Sequence, residues 1–295
     1  MRLIGAACTR GEWVARRFAG GDARRELAAG ALLCAAIVGG TYAVARSTLR
    51  IAGRLDTRVA VALEIALAWT TLAARDLLGE SAQVAAALEG ADLALARARL
   101  ARIVGRDTLA LDTSDVARAT IETLAESACD GIVAPLVALA LGGVPLALAF
   151  KAASTLDSMI GHSEPPYTFL GRASARVDDV ACWIPARVTA LAICLFAGLV
   201  GGTPATAFQT WRADGARHRS ANAGHPEAAI AGALRVRLGG TNRYGGIAYA
   251  APLLGARFAA PTYRSIETAM RLVAVVSLAS AVAAIAATEA VRRAR

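Results

Sequence analysis

The chain has 295 residues, 56% of them hydrophobic, and a formal charge of +9 from 32 basic and 23 acidic residues. So apolar a composition excludes a disordered chain. A mean hydropathy of +0.48 sets this basic charge apart from that of a soluble nucleic-acid binder, so no nucleic-acid partner is expected. The five cysteines form no Cys-x-x-Cys pair, which argues against a zinc site or a disulfide framework. The first 26 residues carry Arg2, Arg10, Arg16, Arg17, Arg24 and Arg25 among acids and lack the apolar core of a cleavable signal.

In chain order, uncharged runs occupy residues 27–45, 132–150, 188–211 and 272–288, and 59–74 is apolar except for Glu64. A spanning helix needs about 17–25 such residues, and in lipid each span must satisfy its own backbone. The pattern therefore predicts an all-α, polytopic integral membrane protein. It has four or five spanning helices plus amphipathic surface helices, in a single membrane-embedded domain over 1–295. Residues 76–130, with Leu and Ile recurring among Arg97, Arg99, Arg102 and Arg106, read as an amphipathic helical insert. The apolar segment 244–261, broken by Pro252 and Arg257, reads as packed or re-entrant rather than spanning. Arg46, Arg50, Arg54 and Arg58 between the first two runs compete with the basic amino-terminal segment and the tail, Arg292, Arg293 and Arg295, for the cytoplasmic side. Crossing once each, 132–150 and 188–211 would put 151–187 on the face opposite 122–130 and 212–245. Pro135, Gly142, Gly143 and Pro145 mark 132–150 as the run that turns back.

The polar segments 151–187 and 212–245 hold the chemistry-bearing residues. Ahead of them, Glu122, Glu126 and Asp130 recur at four-residue steps, so all three share one helix face. Like charges at that spacing repel unless a cation sits among them, and Mg²⁺ takes oxygen ligands. The alternative is a solvated acidic face with Arg118 paired to Glu122. Lys151 is the only lysine in the chain. It shares a helical side with Ser154, Thr155 and Ser158, as suits a phosphate or a snorkelling anchor. Arg172, Arg176, Asp179 and Trp183 form another stripe, which Arg187 would continue past Pro185. Asp214 and His218 stand at i, i+4, the spacing at which a carboxylate could orient an imidazole base. Neither a P-loop nor a Rossmann glycine fingerprint is present.

In order along the chain stand Ile103-Val-Gly-Arg-Asp-Thr108, Glu122-Thr-Leu-Ala-Glu126, Asp130-Gly-Ile-Val-Ala-Pro135, Lys151 to Gly161, Ser174-Ala-Arg-Val-Asp-Asp179, Pro185-Ala-Arg187 and Asn222-Ala-Gly-His-Pro-Glu227. From Met1 to about Gly246 the chain resembles the CobD/CbiB family, the adenosylcobinamide-phosphate synthases of cobalamin biosynthesis. The family begins with a further apolar helix, and the first five residues here resemble only the end of the stretch after it.

The resemblance implies a multi-pass protein of the inner cell membrane, in contact with lipid and with other late membrane enzymes of the pathway. It implies a carbon–nitrogen ligase that joins the corrinoid adenosylcobyric acid to aminopropanol or its O-phosphate, with ATP and Mg²⁺. On that basis Glu122, Glu126, Asp130, Asp157, Asp178 and Asp179 are expected to hold metal. Lys151, Arg187 and the pair Asp214 and His218 are expected to act in catalysis. Arg106, Asp107, Ser154, Thr155, Arg176, Asn222 and Glu227 are expected to bind substrate or nucleotide. The competing classes are a transporter for an anionic solute and a non-catalytic membrane scaffold. Most charged motifs lie outside the apolar runs, which favours an enzyme at the membrane surface over a transporter.

Overall fold

The computed structural model describes residues 2–162 and 164–293, so Arg295 of the basic tail lies outside the described residues. Among the described residues, eleven helices are joined by short connections: α1 (Arg2–Ala19), α2 (Ala23–Leu55), α3 (Thr57–Thr71), α4 (Ala74–Glu89), α5 (Leu93–Leu100), α6 (Thr113–Ala128), α7 (Ala134–Ile160), α8 (Arg172–Phe196), α9 (Pro204–Asp214), α10 (Gly224–Leu234) and α11 (Tyr263–Arg293). One antiparallel hairpin, β1 (Leu238–Tyr244) with β2 (Ile247–Leu254), interrupts them. Helix starts follow the aspartates. Asp22, Asp92 and Asp112 each accept a backbone N–H three residues on, which satisfies donors the helix leaves open. Asp56 alone separates α2 from α3. Its extended backbone ends one helix, and its carboxylate accepts from Arg58 and Val59 to begin the next.

Five helical stretches are long and apolar enough to cross a membrane: Ala23–Leu55, Thr57–Glu89, Thr113–Ile160, Arg172–Val200 and Tyr263–Ala290. The chain is a multi-pass helical membrane protein. Two apolar runs take a form that composition does not reveal. The run 188–211 is not one helix: α8 ends at Phe196, a 3-10 turn follows, and Gly201 (φ 79°) leads to the break before Pro204. The segment 244–261 supplies β2, the only strand partner of β1 among the described residues. The double-glycine turn Gly245-Gly246 (φ 56° and 81°) allows that hairpin, because two successive positive φ values are a glycine conformation.

The sequence reads as one domain, but the contacts divide the chain into two compact units, Met1–Leu72, Ala134–Cys182 and Ala284–Arg295 forming one and Ala73–Val133 with Trp183–Ala283 the other. In the first, α1, α2, α3 and α7 pack together. Gly30 of α2 lies against the Leu170 carbonyl so closely that no Cβ would fit. Helix α7 is broken at Gly143 (φ 66°, ψ −164°), two residues before Pro145. Ala134 and Ala138 before the break share one apolar cluster with Ala147 and Phe150 after it. A straight helix would hold Ala138 and Ala147 about 13 Å apart, so α7 bends at Gly143, within the run that Gly142, Gly143 and Pro145 marked as irregular. In the second unit, α10 packs on α9 and α6, and β1 reaches α6. Helix α6 is buried along most of its length. The 76–130 segment is therefore not uniformly amphipathic.

Candidate active site

The centre of the second unit is a buried ionic network. Glu122 of α6 is 4% exposed. Its Oε2 accepts from Arg106 Nη1 at 2.6 Å, and its Oε1 accepts from Arg118 Nη1 at 3.1 Å and from the Gly239 N–H at 2.8 Å. Asn242 of β1 turns its Oδ1 to both guanidiniums, at 2.8 Å and 3.1 Å. Arg118 also donates to Asp115 from Nε and Nη2. A carboxylate taken out of water needs this density of charged donors. Four chain segments supply it: the loop before α6, α6 itself, the start of β1 and its far end.

Of the metal ligands expected on α6, Glu122 is thus the hub of an ion-pair network, with both oxygens engaged. Arg118 is its partner by the four-residue spacing, but the face is buried rather than solvated. Glu126, one turn on, is exposed, and half-buried Asp130 stands in the π-helical turn Cys129–Val133 that follows. Asp107 clamps the hairpin. Its carboxylate accepts from the N–H groups of Gly245 and Gly246 at 3.2 Å and 2.7 Å, and its own N–H donates to the Arg243 carbonyl. Among the described residues Arg106, beside it, bonds only through Nη1, which leaves Nε and Nη2 for another anion.

The expected pairing of Asp214 with His218 does not form. Helix α9 ends at Asp214 and a 3-10 turn follows, so the four-residue helical register is lost. Asp214 accepts from the Gly255 N–H at 2.8 Å and from Arg217 at 3.1 Å. His218 Nδ1 accepts from the Ser220 N–H at 3.0 Å, which assigns the ring proton of the neutral form to Nε2. Burial holds this imidazole below its ordinary range, against the opposing pull of Glu122. Ser220 Oγ accepts from the N–H groups of Asn222 and Ala223, and Asn222 is itself buried.

Helix α10 begins directly against this turn. Gly224 lies so near the His218 Cβ that no side chain fits. Gly232 meets the Thr206 carbonyl of α9 in the same way. Trp211 donates from Nε1 to His225 Nδ1 at 3.0 Å and holds the first turn of α10. That turn carries Glu227, 6% exposed. Burial first, then the charges of Glu122 and Glu126, raise its carboxyl well above the ordinary range. Arg187 stacks over Trp183 with its Cζ 4.1 Å from the ring centroid and donates to that residue's carbonyl.

The first unit carries the remaining candidates. Lys151, Ser154, Thr155 and Asp157 lie on the second limb of α7, half-buried, with Thr155 Oγ1 donating to the Lys151 carbonyl. Gly161 sits so close to the Asp157 carboxylate that a side chain there has no room. Asp178 and Asp179 are half-buried on α8, whereas Arg176 is exposed. The site residues expected from sequence include neither Asn242 nor Gly239. The signal for Asn242 is its rarity, since the chain has only two asparagines, and the other is Asn222.

Fold and site together define a polytopic helical membrane protein with a buried carboxylate–guanidinium centre. The chain belongs to the CobD/Cbib protein family, whose model matches residues 1–273. Relatives named as cobalamin biosynthesis proteins bear this out. The CobD protein of Geobacter metallireducens is 47% identical over 230 residues, 78% of this chain and 72% of that one. The CobD protein of Pelobacter propionicus is 43% identical over 261 residues, 88% and 81%. The CbiB protein of Salmonella typhimurium is 40% identical over 255 residues, 86% and 80%. No solved structure matches the chain.

Proposed function

We propose that this chain is a membrane-embedded ligase of cobalamin biosynthesis. It joins the free carboxylate of adenosylcobyric acid to the amine of aminopropanol or its O-phosphate at the expense of ATP. The observation that carries the reading is the family match over residues 1–273. The site residues support it. Arg106, anchored by Glu122 and Asn242 with two nitrogens in reserve, suits a carboxylate or phosphate oxygen. His218, neutral and with its Nε2 proton outward of the Ser220 bond, serves as a hydrogen-bond donor rather than as the base expected from its spacing.

Asp157, Asp178 and Asp179 fit Mg²⁺: they offer oxygen, the donor that ion takes, and Gly161 leaves the Asp157 carboxylate clear of side-chain bulk. Glu122 is withdrawn from the metal set because both its oxygens are engaged. Bound Mg²⁺–ATP supplies a phosphoryl group that turns the carboxylate into an acyl donor. Lys151 and Arg176 hold its negative charge, with Ser154 and Thr155 beside them. The break in α7 is the feature a transporter would use. No charged residue stands between Asp130 and Lys151, so the break offers a solute only backbone groups.

The test is purified protein with adenosylcobyric acid, the amine and Mg²⁺–ATP, with the amide and released ADP both measured. Amide formed in step with ADP supports the reading. ATP-independent uptake of a corrinoid into vesicles, with no amide, would replace it by the transporter.

A further inference from the structure

Glu227 is nine-tenths buried in the first turn of α10, and among the described residues its carboxylate makes no hydrogen bond or ion pair. The charged groups that act on it are Glu122, Glu126 and Arg118 from α6 and Arg106 from the loop before it. Gly224, three residues before it, lies against His218, which is held neutral. Among the described residues neither guanidinium donates a hydrogen bond to Glu227. Arg118 uses Nε, Nη1 and Nη2 on Asp115, Glu122, Asn242 and the Thr241 carbonyl. Arg106 Nη1 serves Glu122 and Asn242. A buried carboxylate with no donor of its own is costly. This one is backed by one glutamate, Glu122, with another, Glu126, exposed one helical turn away. Two glutamates and two guanidiniums surround it, and a small cation bringing its own N–H donors supplies the hydrogen bonds that Glu227 lacks.

We propose that Glu227 receives the primary ammonium of the amine substrate and takes one proton from it, with Glu126 at the approach. This rests on the ligase reading, in which the amine brings the one ammonium group. The step is R–NH₃⁺ plus Glu227 carboxylate giving R–NH₂ plus Glu227 carboxylic acid, with nothing oxidised or reduced. The freed nitrogen pair then forms the amide C–N bond as the acyl C–O bond to phosphate breaks. The second N–H proton leaves with the phosphate. An ordinary glutamate and an alkylammonium titrate about six pH units apart, too far for an efficient transfer at neutral pH. The burial of Glu227 and its two glutamate neighbours narrow that gap.

The experiment uses full-length protein in detergent. Thermal melting is followed from pH 5 to pH 9 with 1-aminopropan-2-ol, with propane-1,2-diol, or with neither, for the wild type, Glu227→Gln and Glu227→Asp. A carboxyl raised on folding keeps its proton longer in the folded state. Wild-type stability therefore falls as pH rises above the ordinary glutamate value and levels off above the raised one. Glu227→Gln removes that slope and melts higher than the wild type at pH 8. The amine, and not the diol, raises the wild-type melting temperature. Glu227→Gln weakens amine affinity at least tenfold, and Glu227→Asp restores part of it. Equal amine affinity in Glu227→Gln, or no amine response in the wild type, overturns the proposal. Amide synthesis is measured in parallel. A Glu227-dependent amine response without amide synthesis keeps the amine site and removes the ligase reading. Wild-type synthesis by Glu227→Gln with an unchanged pH profile does the reverse.

Discussion

Glu122 stands between two guanidiniums, and its replacement by glutamine leaves two buried cations facing a neutral amide. Removing one partner of a buried pair costs about 3–5 kcal/mol, a large share of the stability of a typical domain. Glu122→Gln is therefore expected to lower the melting temperature and the folded yield in detergent, before any effect on rate is read. A variant that melts like the wild type would show the network to be dispensable. Lys151 is different, because the chain uses arginine at every other basic position. If it only anchors α7 at the membrane edge, Lys151→Arg is harmless, since arginine snorkels as well. If it meets a phosphate as a compact point charge, the planar guanidinium cannot take its place. The expected outcome is a folded variant that loses at least tenfold in amide-forming turnover, about 1.4 kcal/mol of transition-state stabilisation, with corrinoid affinity preserved. A wild-type turnover number would return Lys151 to the anchor role.

Among the elements, α7 and the hairpin carry the most information. Gly143 holds φ 66° and ψ −164°, a region open almost only to glycine. Its neighbours leave a Cβ ordinary room, the nearest atom being Pro145 Cδ at 3.8 Å. Any penalty for Gly143→Ala is therefore backbone strain rather than collision, about 1–3 kcal/mol. The variant should melt lower than the wild type, whereas alanine at Gly39, where nothing lies within 4 Å and φ is helical, should be neutral or slightly stabilising. Equal melting of the two would mean that α7 runs straight. The hairpin is positioned by side chains from the preceding loop, Asp107 at its turn and Arg106 at Asn242. The family motif containing Arg106 and Asp107 thus builds the site as much as it lines it.

For the whole molecule, the open question is whether the break at Gly143 turns α7 back within the bilayer, which would leave both its ends on one face. If it does, single cysteines at Ser127 and Ser158, in a background without the native cysteines, should react with a membrane-impermeant maleimide from the same side. Labelling from opposite sides of oriented vesicles would show a complete crossing.

Hydropathy alone determined that the protein is helical and multi-pass, because a run of about 20 apolar residues has few other uses. The family motifs marked the polar segments, whereas the helix starts capped by Asp22, Asp56, Asp92 and Asp112 emerged from the structure. The family itself was legible from residue order. What sequence could not decide was which neighbours each charge would meet. The four-residue spacing of Glu122, Glu126 and Asp130 is equally consistent with a metal face and an ion-pair hub. The hub depends on Arg106, Gly239 and Asn242, up to 120 residues apart from Glu122 along the chain. The spacing of Asp214 and His218 promised a dyad, and the end of α9 removed it, because helical register holds only while the helix continues. Burial decided the character of Glu227. A glutamate in a polar segment looks like any other until tertiary packing takes away its water and leaves its carboxylate without a hydrogen-bond donor among the described residues.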